Sequence, residues 1–206
     1  MSNTHSAISD LSRRLSQGER DALAELFTSY RDRLSQMLHF RTPAQLAGRL
    51  DIDDLLQESY LAAERRIEKF EHTDEHGPFV WLRLITLQTL TDQCRRHLAA
   101  QRRNAGRELS IHRRVSVPGA TTASMASLLI DELTSPSGVA MRAEAIQQLE
   151  DAIERMEPID REVLALRHFE VLSNTETAAV LGITPKAASI RYVRAIRRLK
   201  DICNDE

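Results

Sequence analysis

Cysteine is scarce: Cys94 and Cys203 are the only two in 206 residues, far apart and each inside a helical pattern. That usage excludes a disulfide framework and a cysteine-based zinc module, and it fits a reducing compartment. No stretch approaches the roughly 20 apolar residues of a membrane-spanning helix. The opening MSNTHSAISDLSRRL has no apolar segment of signal-peptide length, so a cytoplasmic protein without membrane insertion is expected. Strand-like alternation never lasts long enough to argue a sheet, and no internal repeat is evident. Net basicity is missing too. Lys and Arg number 28 against 30 Asp and Glu, a formal net charge of -2, so a nucleic-acid surface must come from local segregation of charge.

Segregation is present. From Arg95 to Arg114 the run RRHLAAQRRNAGRELSIHRR holds seven Arg and two His against one Glu, whereas Asp51 to Glu75 is dominated by acid. The chain therefore carries both a basic and an acidic surface.

Helical periodicity organises what lies between. Leu23, Leu26, Phe27, Tyr30, Leu34 and Leu38 predict a helix from about Glu19 to His39, followed by a connection from Arg41 to Leu50. Asp51 then caps a helix whose stripe is Leu56, Tyr60, Ala63, Ile67 and Phe70, with Asp53 and Asp54 at the positive end of its dipole. EHTDEHGP has turn composition. The next helix runs from about Phe79 past Arg96, with Leu82, Ile85, Thr89 and Leu90 inward. Between about Gly106 and Gly138 periodicity fades and Ser, Thr, Pro and Gly accumulate, the composition of a linker. Ile146, Leu149, Ile153 and Met156 resume the pattern, Pro158 and Asp160 reset it, and Val163, Leu166 and Phe169 begin another helix.

The stretch from Ser173 to Lys200 is the most informative. Ser173 with Glu176 is a capping-box pattern, Gly182 can take the left-handed conformation that ends a helix, and Thr184 with Pro185 restarts one. Ala188, Tyr192, Ile196, Leu199 and Cys203 form an apolar stripe, with Lys186, Ser189, Arg191, Arg194, Arg198 and Lys200 largely off it. This is the pattern of a helix-turn-helix that places its second helix in a DNA major groove, early residues near bases and later Arg on phosphates. The fold class expected is all-α: two small helical domains, 8–105 and 140–206, joined by a flexible linker at 106–139, the second domain a helix-turn-helix.

The ordered set of motifs resembles bacterial sigma factors of the two-domain, extracytoplasmic-function (ECF) type. The acidic helix matches at Asp51, Asp54, Leu55, Gln57 and Glu58, and the basic one at Trp81, Leu82, Ile85, Asp92, Arg95 and Arg96. The C-terminal matches include Arg161, Glu162, Val163, Leu166, Glu176, Ala178, Leu181, Gly182, Ile183, Arg191, Arg194, Ala195 and Leu199. Gln88 stands where the family usually shows Asn, Leu87 and Ser189 where Arg or Lys is common, and Ala188 where a branched apolar residue is usual.

The resemblance implies a dissociable subunit of RNA polymerase, with no enzymatic activity and no cofactor of its own. Asp51, Asp54, Leu55, Gln57 and Glu58 would meet the beta-prime clamp helices of the core enzyme, with Leu55 as apolar anchor. Trp81, Gln88, Arg95, Arg96, Arg102 and Arg103 would hold the minus-ten element as it melts, Asp92 orienting one of the Arg. Lys186, Ser189, Ile190, Arg191 and Arg194 would read the minus-thirty-five element. Partners implied are double-stranded and melted promoter DNA, the beta flap and an anti-sigma factor.

Two other readings compete. A helix-turn-helix regulator binding a palindromic operator as a dimer would have no need of a second basic surface at Arg95 to Arg114. A metal enzyme would start from His72 and His76, four apart beside Glu71, Asp74 and Glu75. That cluster lies against Gly77 and Pro78 and lacks the internal Glu placement of a hydrolytic His-Glu-x-x-His motif, so no metal site is expected.

Overall fold

The computed structural model describes residues 2–71, 77–104, 125–126 and 139–204, among which there are eight α-helices and no strand. The fold is all-α. It divides into two compact units, Met1–Pro118 and Gly119–Glu206, a boundary that falls inside the Ser/Pro/Gly-rich stretch. Within that stretch Met125 and Ala126 are helical and buried.

In the first unit α1 spans Ser2–Ser16 and α2 Arg20–Arg41. The sequence reading did not include α1. Its buried positions are Leu15, fully buried, and Ser12, 1 % exposed, with Ile8 and Leu11 half-buried on the same side, a short apolar stripe at helical spacing. Gly18, at φ +82, takes the left-handed turn between the two helices, its N–H donating to the Leu15 carbonyl at 2.9 Å. After a 3-10 turn at Ala44–Leu46, α3 runs Ile52–Glu64 and α4 Pro78–Asn104. These helices pack on one another through Leu23, Leu26, Leu34, Met37, Leu82 and Leu90, all fully buried, each contributing about 1.5–3 kcal/mol. Tyr30 meets Phe79, and Phe27 meets Tyr60 edge-on, at 5.2 and 5.3 Å between centroids.

The stripe that predicted one helix through Phe70 is interrupted. α3 ends at Glu64, Arg66 adopts φ -117, ψ 11, and a separate 3-10 turn covers Ile67–Lys69. No Gly or Pro marks this break. Both Ile67 and Phe70 remain in the core across the break, 8 % and 4 % exposed.

In the second unit α5 spans Val139–Glu154 and α6 Pro158–Leu164, followed by a π-helical turn at Ala165–Phe169. α7 is Asn174–Leu181 and α8 Pro185–Asn204. α5, α6 and α7 all pack against α8.

Val171 closes the π turn at φ +53 and is 64 % exposed. The Leu172 N–H donates back to the Leu166 carbonyl at 2.9 Å, so Val171 sits where helix ends favour glycine. A β-branched residue with positive φ is strained. Val171→Gly removes that strain with little loss of buried surface, partly offset by the greater freedom of unfolded glycine. It should stabilise the second unit by about 0.5–1 kcal/mol, read as a rise of a few degrees in its calorimetric transition.

Candidate nucleic-acid interface

Three surfaces carry the residues singled out in the sequence. The first is the leading edge of α3. The Asp51 carboxylate accepts from the amides of Asp53 and Asp54 at 2.7 and 3.2 Å, which caps the helix and fixes where its acids project. Asp53 is engaged by Arg31 at 2.7 Å. Asp54 is exposed and forms no ion pair among the described residues. Gln57 is exposed, and Glu58, half-buried, accepts from Gln93 Nε2 at 2.6 Å, tying α3 to α4.

Leu55 is 2 % exposed. It belongs to the core and holds α3 in place rather than offering apolar surface to a partner. The apolar residue in line with Asp54, Gln57 and Glu58 is Leu61, 49 % exposed, at the i, i+3, i+4, i+7 spacing that puts side chains on one helix face. That spacing could have identified Leu61 from sequence, given which side of α3 packs inward.

The second surface is α4. The Trp81 ring is half-buried, tilted at 63° against Phe70 with 5.1 Å between centroids, so part of the indole is packed and part open. Leu84, 53 % exposed, and Gln88, also exposed, continue the same strip. Neither periodicity nor motif had drawn attention to Leu84. Arg95 and Arg96 are exposed, and Asp92 lies 3.8 Å from Arg95 on the next turn, both side chains more than half exposed. Arg102 and Arg103 are in the last turns of α4, but their side chains lie outside the described residues. Glu58, Leu61, Arg65, Arg66, Gln88, Thr89, Asp92 and Arg96 line an open groove of about 330 Å³ where α3 ends against α4. Arg66 donates from Nη1 to Gln88 Oε1 across it. Behind the groove Cys94 is 2 % exposed and burial raises its thiol pKa, which keeps it protonated and a poor nucleophile.

The third surface is the helix-turn-helix. Ser173 Oγ accepts from the Glu176 amide at 3.1 Å while Glu176 accepts from the Ser173 amide at 2.7 Å, a complete capping box. Gly182 is left-handed at φ +65, ψ 35. Thr184 Oγ1 accepts from the Ala187 amide at 3.2 Å and starts α8. Ala188 and Ala195 are fully buried, and these small side chains let α8 lie close against its neighbours. Tyr192, Ile196 and Leu199 are half-buried beside them, and the Arg167 guanidinium stands 5.3 Å over the Tyr192 ring. Cys203, the last residue of the predicted stripe, has a side chain outside the described residues.

The opposite face is open. Lys186, Ile190 and Arg194 are exposed, Ile190 by 50 %, with Val193 and Arg197 exposed on the same side. Ser189 and Arg191 are half-buried at its edges. Arg198, its side chain 46 % exposed, reaches toward α6: it pairs at 3.4 Å with Asp160, whose side chain is 3 % exposed, and at 3.5 Å with Glu157. These pairs tie α8 to α6. A helix with a small-residue back, an apolar and polar front and flanking Lys and Arg can read base edges and hold phosphates.

Residues 72–76, with the candidate metal-binding histidines, lie outside the described residues. Among the described residues no group of three or more His, Cys, Asp or Glu is placed to hold a metal ion, and no helix is long and apolar enough to cross a membrane.

Comparison with known proteins bears on both units at once. A family model described as ECF sigma factor matches residues 5–202. The chain is 28 % identical over 198 residues to the ECF RNA polymerase sigma factor BldN of Streptomyces coelicolor, covering 96 % of this chain and 66 % of BldN, so it spans just under two thirds of that relative. It is 28 % identical over 185 residues to the ECF RNA polymerase sigma factor SigD of Mycobacterium tuberculosis, covering 89 % and 78 %. Among solved structures, CnrH in complex with the cytosolic domain of CnrY superposes with a TM-score of 0.52 at 21 % identity, over 97 % of this chain and 99 % of that one, which is a likeness of fold.

Proposed function

Because the chain belongs to the ECF sigma factor family, we propose that it is the dissociable subunit that gives core RNA polymerase its promoter choice. One observation carries this beyond family membership: an open acidic face on α3 and two separate open faces bearing Arg, on α4 and α8, occur in a protein of net charge -2. Acid opposed to the basic clamp helices of the beta-prime subunit gives fast, salt-sensitive docking and fixes orientation. Asp54 and Glu58 provide the charge, Gln57 a neutral hydrogen-bonding amide between them, and Leu61 the apolar contact.

α4 then receives the upstream edge of the minus-ten element. Unstacking costs a few kcal/mol per step, offset by stacking on the open part of Trp81 and by Arg95 and Arg96 on phosphates. Arg102 and Arg103 extend that basic track. Strand separation is driven by binding alone and needs no chemistry from this chain. α8 reads the minus-thirty-five element through Lys186, Ile190 and Arg194, with Ser189 and Arg191 at its edges. The stretch 106–139 is the linker between the two reading domains. A negative regulator that covers these faces is an expected further partner, as CnrY is a partner of CnrH. An operator-binding dimer is not favoured, since the family match runs through the first unit as well as the second.

Permanganate footprinting of promoter DNA tests the melting step. Thymines of the minus-ten element should become reactive only when core polymerase and this protein are both present. Reactivity with core alone, or none with the pair, contradicts the assignment.

A further inference from the structure

The contact between Arg66 and Gln88 bears on which base the α4 face selects. The two residues are 22 apart in sequence, and they meet because α3 stops at Glu64 and the chain turns at Arg66. Both are exposed at the groove between α3 and α4. The acids of that groove are already engaged: Glu58 accepts from Gln93 at 2.6 Å, and Asp92 lies 3.8 Å from Arg95.

A guanidinium has only donors. Gln88 must therefore turn its carbonyl oxygen to Arg66, whichever way a side-chain amide would otherwise be oriented. The amide nitrogen, with its two hydrogens, is left facing away. A glutamine reads adenine by donating to N7 while its oxygen accepts from the N6 amino group. Here that oxygen lies beside a cation, and an incoming amino group would be set against guanidinium N–H groups.

We propose that Arg66 is a specificity-determining residue of this protein: by occupying Gln88 Oε1 it makes the pair a donors-only reader. At the step still paired just upstream of the melted stretch, the favoured base offers acceptors alone at its major-groove edge, guanine through O6 and N7 or thymine through O4. Adenine and cytosine, which each present an amino donor there, are rejected. Removing the guanidinium frees the oxygen and lets Gln88 take adenine. This rests on α4 facing promoter DNA, and the test separates the two.

The experiment is transcription by core polymerase from a promoter library randomised across the minus-ten region, with the full chain as wild type, Q88A, R66M and R66K. Wild type should enrich guanine or thymine at one position, and Q88A should lose that preference. R66M should raise the relative use of adenine at that position by about tenfold, in the range one bidentate contact supplies. R66K, which still donates to the oxygen, should keep the wild-type preference. If Q88A relaxes a position but R66M chooses bases there as wild type does, Arg66 is a structural bridge and the proposal is overturned. If the wild type initiates but Q88A alters no position, Gln88 does not read DNA and the proposal is overturned, while α4 keeps its place on the promoter through Trp81, Arg95 and Arg96; if the wild type does not initiate at all, it is the placement of α4 on promoter DNA that fails.

Discussion

Changing Asp54 and Glu58 together to Arg is expected to weaken binding to core RNA polymerase by about 100-fold or more. Each reversal replaces attraction to a basic surface by repulsion, and like charges set against each other across an interface cost several kcal/mol. Little of the loss should come from misfolding. Asp54 is exposed, outside any ion pair among the described residues, and contributes to the fold chiefly through the helix dipole, about 0.3–1 kcal/mol. Glu58 does accept from Gln93, so the neutral pair Asp54→Asn with Glu58→Gln, which keeps an acceptor there, should give an intermediate loss. Fluorescence titration of core enzyme at low and moderate salt reads this directly. Wild-type affinity should fall as salt rises, and the reversed variant should not share that dependence. Leu61→Ala should add a smaller, salt-independent loss.

Reversing Lys186 and Arg194 to Glu on α8 is expected to abolish use of promoters that depend on a minus-thirty-five element, a loss of about 100-fold at moderate salt. Both side chains are exposed on the face opposite Ala188 and Ala195, so the helix should still fold against its neighbours. Single changes to Ala should separate their tasks. A residue on phosphate weakens binding evenly across sequences and lowers the salt slope by about one, whereas a residue on a base edge relaxes the choice at one position. Arg198→Ala provides the contrast. It leaves the buried Asp160 carboxylate without its guanidinium, so it should lower the thermal transition of the second unit without changing sequence preference.

Much of this was legible in the sequence where signals are local. The helix-turn-helix was readable because a capping box, a left-handed glycine and a Thr-Pro restart each act within a few residues, and all three are present as expected. The acidic and basic stretches were readable as charge. What escaped depends on packing. Leu55 and Leu61 look alike in sequence, and only the fold shows that one is 2 % and the other 49 % exposed. Arg198 looks like its basic neighbours until α6 places Asp160 beside it. The end of α3 carries no breaker residue, so nothing foretold that Arg66 would reach Gln88. Val171 hides a helix end because its side chain is the wrong one for the conformation it adopts.

The most direct test of the central claim is run-off transcription with purified core polymerase on a genomic promoter library, with the protein, without it, and with the Asp54 and Glu58 reversal. Initiation that requires the protein, starts from sites sharing two unlike elements and disappears with the reversed variant is the expected result. Specific DNA binding without core enzyme, combined with no protein-dependent initiation, would contradict it.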